Sequence, residues 1–318
     1  RTELFYQQRE QTQRKGLWRL GFNGLMAGLG VFSLAASFIA LTRGFDDEGF
    51  VRLVLTGYYF LLTLFHFAIM LRTLYLSSAA ITREKRDVER WEALLLTGVS
   101  GREIILGKWW ATVKTMWKAY LFLAFLRAAA VVSIPIIGQG LPPFYMTYYA
   151  RDVQTDVLHI VLAIGVVMAM TLASLPYTAA CGVMSAMEMK HGSGLMRGFA
   201  ARSAFTILAA LLPLLLWHFI GIWGLWNNRL IGYDQFSTAS SMISLFTWMM
   251  LDNGLRFGTE LVANTYWIQN YLFGGLVVFA LVLAAYGGLT RALLWFAQWR
   301  AERSGALKSN ELKAMSNE

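Results

Sequence analysis

Cysteine, histidine, proline and charge are all scarce in this chain. Of its 318 residues 1 is cysteine, 4 are histidine, 5 are proline and 15% are charged. A lone Cys181 excludes an internal disulfide and any cysteine-built metal cluster. The histidines show no paired spacing inside one apolar stretch. A haem-bearing membrane subunit would therefore have only His66 and His218 as axial ligands, and no metal site is expected. The apolar stretches hold no acidic cluster, which counts against a dedicated cation path. A phosphate loop is missing too. Its pattern is Gly, four residues, Gly-Lys, then Ser or Thr, so that backbone amides wrap the phosphates and the hydroxyl holds magnesium. At Gly107-Lys108 the first glycine is replaced by Arg102 and the hydroxyl residue by Trp109. The chain alone is expected to bind no nucleotide, to need no cofactor and to be no enzyme.

Apolar surface is what the sequence has in quantity. Hydrophobic residues make up 57% of it, with 12 Trp and 21 Phe, and the mean hydropathy is +0.48. That is too apolar for a water-soluble globule of this length, so an all-α, polytopic membrane protein is expected. A hydrocarbon core takes roughly 20 apolar residues per helix. Six stretches qualify, at about 20–41, 53–80, 109–134, 156–187, 204–226 and 265–296. Lys and Arg in short connections choose the side. Segments 1–19, 81–108, 188–203 and 297–318 carry 18 of them, against 5 in 42–52, 135–155 and 227–264. The first group, both termini included, is expected in the cytoplasm of a multi-pass inner-membrane protein. Anionic lipid accounts for the net charge of +9, and no nucleic-acid partner is expected.

Segment 1–19 reads as an amphipathic helix in the interface, with Leu4, Phe5, Leu17 and Trp18 entering the headgroup boundary and Arg9, Arg14, Lys15 and Arg19 facing phosphate. The membrane domain then runs over 20–318. Its external segment 227–264 has a central apolar run too short to cross. It is expected to form helices lying in or dipping into the outer interface, with Trp248 and Trp267 at headgroup depth. Pro176 and Pro213 fall inside apolar stretches and predict kinks. Arg127 and Asp156, on adjoining stretches, are expected to pair. His66 and His218 are polar groups mid-way along the second and fifth stretches. They are candidates for a translocation path, although a hydrogen-bonded packing role is the commoner one for such histidines.

Residues 81–108, ITREKRDVERWEALLLTGVSGREIILGK, break the pattern with 11 charged residues, 5 of them acidic, between two oily stretches. Thr82–Thr97 reads as an amphipathic helix with Val88, Trp91, Leu94 and Leu95 on one face. Gly98 ends it. Ser100 with Glu103 three residues on is the reciprocal pattern that opens a new helix. A helix, a glycine turn and a newly capped helix running into the third stretch make a stiff elbow. Five acids argue against a purely lipid-binding role for it.

The run Glu84, Arg86, Glu92-Ala93-Leu94-Leu95, Thr97, Ser100, Glu103-Ile104 and Gly107-Lys108 resembles the cytoplasmic loop between the second and third spans of type-2 ABC exporter permeases. That loop typically reads as an acidic-basic pair, a small residue, Thr, Leu-Glu-Leu-Leu, a Thr-Pro-x-Ser turn, Glu-Ile and Gly-Lys. This chain has Arg90-Trp91 before the second acid and Gly98-Val99 in place of Thr-Pro. The resemblance implies a coupling helix seated in a cleft of a separate nucleotide-binding subunit. Glu84, Arg86, Val88, Trp91, Glu92, Leu95, Ser100 and Glu103 would be its coupling residues, and His66 and His218 would line the substrate path. It also implies an assembly of two permeases, identical or paralogous, with two ATP-binding-cassette ATPase subunits that hold the ATP and magnesium. A structural or haem-bearing subunit without transport is the other reading the residues leave open.

Overall fold

The structure, a computed structural model, describes residues 48–86, 100–137, 157–188, 194–226, 233–263 and 266–315. They form α1 (Glu48–Arg86), α2 (Gly101–Ile137), α3 (Val157–Glu188), α4 (Gly194–Trp226), α5 (Tyr233–Asp252), α6 (Leu255–Ala263) and α7 (Tyr266–Met315), with no strand among the described residues. Five of these helices contain stretches long and apolar enough to cross a membrane: Gly57–Thr82, Gly101–Val132, Val157–Met187, Gly194–Phe219 and Leu272–Arg303. The architecture is that of an all-helical, multi-pass membrane protein. Segment 1–19 and the expected first span, 20–41, lie outside the described residues, as do 87–99.

α3 is the hub, packed against α1, α2, α4, α6 and α7. In lipid, apolar side chains gain little by leaving one hydrocarbon for another, so helices associate through close backbone approach. The sequence supplies it. A Cβ on Gly182 would lie 1.8 Å from Ser77 Oγ, one on Gly194 2.8 Å from Ser78 Cβ, and one on Gly198 3.1 Å from Ser185 Oγ. Ser185 also donates to the Gly194 carbonyl at 3.0 Å, which ties α3 to α4. Against α3, Tyr58, Phe65, Ile69, Met116, Tyr120 and Leu123 form a buried cluster between α1 and α2 with Leu175 and Ala179. The Tyr58 hydroxyl there donates to the Leu126 carbonyl at 2.9 Å. α4 is the least enclosed span and presents Leu208, Leu212, Leu215 and Phe219 outward, a face suited to lipid.

The helices outrun the apolar stretches that nucleate them. α4 starts at Gly194, not near 204, so Arg197 and Arg202 sit on a membrane helix and not in a connecting loop. α7 runs on through polar sequence to Met315. α1 continues unbroken through Arg86, so Thr82–Arg86 extends the second span's helix where a separate amphipathic helix was expected to begin. Glu, Lys and Arg are good helix formers. A helix therefore has no reason to stop where hydrophobicity stops.

Candidate functional site

Between α4 and α7 the chain doubles back on itself. α5 has 20 residues, about 30 Å at 1.5 Å per residue, and packs beside α4 and α7 down to Asp252, where α6 reverses direction. Asn253 and Gly254 take left-handed φ values of 53° and 78°, a conformation that glycine reaches without strain and asparagine at low cost. Asp252 caps α6: Oδ1 accepts the Gly254 amide at 2.9 Å and Oδ2 the Arg256 amide at 2.8 Å. The hairpin is pressed hard onto α3, for a Cβ on Gly254 would lie 2.9 Å from Met170 Cγ and one on Gly258 2.5 Å from Val167 Cγ2. Met170 lies close to the middle of the span Val157–Met187, so the turn ends at mid-height of the bundle. Trp248 stands one helical turn from Asp252, near the turn of the hairpin. The Arg256 guanidinium lies over its exposed ring at 4.7 Å.

Backbone that leaves the helix at such depth survives only if protein satisfies its polar groups. The Tyr286 hydroxyl, halfway along Leu272–Arg303, donates toward the Met250 carbonyl (3.1 Å) and Asn253 Oδ1 (2.8 Å). Arg127 of α2 is 4% exposed. It donates through Nη2 to the Asp252 carbonyl and through Nη1 to Thr171 Oγ1 at 3.1 Å. Its charge also faces the negative end of the α5 dipole. Asp156, the expected partner of Arg127, lies outside the described residues.

The same height carries more polar chemistry. Thr171, Ser174 and Thr178, spaced along one face of α3, are all buried. Each donates to its own helix, at 2.7, 2.8 and 2.7 Å, which leaves oxygen lone pairs free to accept. Two guanidiniums use them: Arg127 on Thr171, and Arg202 of α4 through Nε on Thr178 at 3.0 Å. The Tyr177 hydroxyl donates to the Arg202 carbonyl at 3.1 Å and meets Thr206 Oγ1 at 3.1 Å. Its ring lies 5.4 Å from that of Tyr286. Two polar atoms in this belt stay unmatched. The Tyr120 hydroxyl and His66 Nε2 are buried without a hydrogen-bond partner among the described residues. Thr73 and Thr178 flank the first, and the charges of Arg127 and Arg202 act on the second.

No protein-family model, curated protein or solved structure matches this chain.

The candidate residues separate into two regions. His66 lies in the mid-height belt. His218 is exposed on α4, with its Nδ1 2.8 Å from the Leu214 carbonyl. The two histidines thus stand at different heights, since Phe67 beside His66 meets Phe199, 19 residues before His218. At the charged segment, Ser100 and Glu103 form the capping box: Ser100 N–H donates to Glu103 Oε2 at 3.0 Å and Glu103 N–H to Ser100 Oγ at 3.2 Å. Gly101, the next residue, abuts α7, since a Cβ there would lie 3.1 Å from Ala301 Cβ. Glu84 and Arg86 belong to the end of α1, while Val88, Trp91, Glu92 and Leu95 lie outside the described residues. Among the described residues no group of His, Cys, Asp and Glu is arranged to hold a metal. Tyr120, Arg202 and Tyr286 were not legible as site residues. Asp252-Asn253-Gly254 inside an apolar run was the one local signal of a turn.

Proposed function

We propose that the chain is the membrane-spanning permease subunit of an ABC exporter, one of two permeases, identical or paralogous, working with two ATP-binding-cassette ATPase subunits that hold ATP and magnesium. The observation that carries this reading is the capped foot of α2. A single helix, Gly101–Ile137, rises from the charged segment into the bundle, so displacement of its foot reaches the spans as it would through a lever. The Ser100–Glu103 box keeps the first turn from fraying, and the Gly101–Ala301 contact ties that foot to α7. Trp91 and the five acids of 81–108 suit docking to a protein, because aromatic and charged anchors dominate interface energetics. The resemblance of the loop supports an ATPase cleft as the dock. In this reading six spans keep both termini and 81–108 in the cytoplasm, lipid is the solvent, and the chain itself holds no cofactor and binds no nucleic acid.

Copurification of the ATPase tests it. Trp91→Ala is expected to weaken assembly by roughly 2 kcal/mol or more. Glu84→Lys with Glu92→Lys is expected to leave the complex assembled in liposomes but to uncouple hydrolysis from transport, with Arg102→Ala mild. The isolated chain should show no saturable magnesium-dependent ATP binding. Assembly and transport unchanged with Trp91 and both acids altered would reduce the segment to a membrane-surface helix and end the proposal.

A further inference from the structure

Charge within the spans is of one sign. The acids inside the five crossing stretches are Glu103 and Glu302, at their ends, whereas Arg72, Arg127 and Arg202, together with the exposed Lys114, Lys118 and Arg291, lie well inside. Arg127 is engaged by Thr171 and the Asp252 carbonyl. The Asp252 carboxylate oxygens are engaged by two amides. Arg202 differs: Nε is on Thr178, its charge lies 5.9 Å from the Tyr177 ring centroid, and among the described residues its Nη groups meet neither acceptor nor carboxylate. A half-buried guanidinium without a counter-charge is costly in a bundle surrounded by lipid. Thr178, which holds Arg202, also flanks the unpartnered Tyr120 hydroxyl. The unpartnered His66 ring feels the charge of Arg202. The buried cluster of Phe65, Tyr120 and Ala179, the Phe67–Phe199 contact and the Arg202–Thr178 bond bring the segments of α1, α2 and α4 that carry His66, Tyr120 and Arg202 together, and among the described residues no acid pairs with them.

We propose that Arg202, Tyr120 and His66 form an internal site for the phosphate-type anionic group of a membrane amphiphile. The anion supplies a counter-charge to Arg202 and a charged acceptor to the Tyr120 hydroxyl, stronger than the neutral Thr73 and Thr178 hydroxyls that flank it. His66 and Arg202 are half-buried and Tyr120 is fully buried, so the site has an open side and a closed end. Beside the open side stand Phe67, next to His66, and Phe199 of α4, their rings edge to face at 5.7 Å. These are apolar surfaces for a hydrocarbon chain. The further claim that such an amphiphile is the exported cargo rests on the exporter reading; the binding does not.

The test uses the full chain in detergent, with native mass spectrometry after addition of phosphatidic acid or phosphatidylcholine of equal chain length. Wild type should retain phosphatidic acid about tenfold over phosphatidylcholine, the effect of one charge-assisted contact. Tyr120→Phe, which keeps the ring and its packing, should lower that retention about three- to tenfold, as loss of one hydrogen bond does. Arg202→Gln should abolish the selectivity and Arg202→Lys restore part of it. Should Arg202→Gln fail to fold, Tyr120→Phe decides the matter. Selective retention that inorganic pyrophosphate displaces supports the site and extends it to soluble phosphates; selective retention that it leaves intact supports the site and confines it to lipid. Equal retention of the two lipids by wild type, or unchanged selectivity in Tyr120→Phe, overturns it. Selectivity in a chain that copurifies no ATPase would remove the exporter reading alone, and a copurifying ATPase without selectivity would remove this inference alone.

Discussion

Removing the Tyr286 hydroxyl would strip the Met250 carbonyl and the Asn253 side chain of their donor at a depth where water does not replace it. Tyr286→Phe keeps the buried ring, so its cost is that of two acceptors left bare, about 1–3 kcal/mol. The expected signature is a lower Tm in detergent together with faster hydrogen exchange over 250–257 than over α3. Equal protection of both segments would mean that Arg127 alone holds the turn. Residue-level chemistry of this kind is only partly legible in a sequence. The Ser100–Glu103 box is readable because both partners sit within three positions of each other. The Asp252 carbonyl that receives Arg127 is not, since it belongs to a residue 125 positions away. An intramembrane arginine announces that it has a partner; its own neighbourhood does not say which.

Elements meet where their smallest residues face one another. Ser77 and Ser78 of α1, Gly182 and Ser185 of α3, and Gly194 and Gly198 of α4 line one seam, and its tightest point is Gly182. Gly182→Ala puts a methyl 1.8 Å from Ser77 Oγ and 3.0 Å from the Leu74 carbonyl. A clash with backbone cannot be relieved by a rotamer change alone, so about 1–3 kcal/mol of destabilisation is expected. Ser77→Ala in the same chain should recover part of it and not all, because Ser77 Cβ still stands 3.0 Å from the new methyl. Thermal unfolding of the two variants in the same detergent measures both effects, and full rescue would place the clash in the hydroxyl alone. The crossing helices themselves are easy to read from composition. A span must satisfy its own backbone, so the condition is local, and 53–80, 109–134, 156–187, 204–226 and 265–296 each fall on a helix. Their ends are not, because charged helix formers carry α1, α4 and α7 past the apolar limits.

At the scale of the whole molecule the α5–α6 hairpin decides the topology. Its sequence shows only a mixed segment with a short apolar centre, and its depth is set by α3 and α7, which no local pattern reports. Shortening the connection between α3 and α4 to 189–193 moves Arg197 and Arg202 onto α4, yet basic residues remain concentrated in the segments assigned to the cytoplasm. With Cys181 first replaced by Ala, a cysteine at Ser193 should react with membrane-impermeant reagents from the cytoplasmic side only. Cysteines at Tyr233 and Asn264, which flank the hairpin, should both react from the opposite side, since α5 goes in as far as Asp252 and α6 comes back. A cysteine in place of the buried Met250, beside the turn, should resist the same reagents from either side. External labelling of Ser193 in intact cells would invert the map. Labelling of Tyr233 and Asn264 from different sides would mean that 233–263 crosses the membrane, and the mid-height belt built around Arg127, Asp252 and Tyr286 would then lose the turn that organises it.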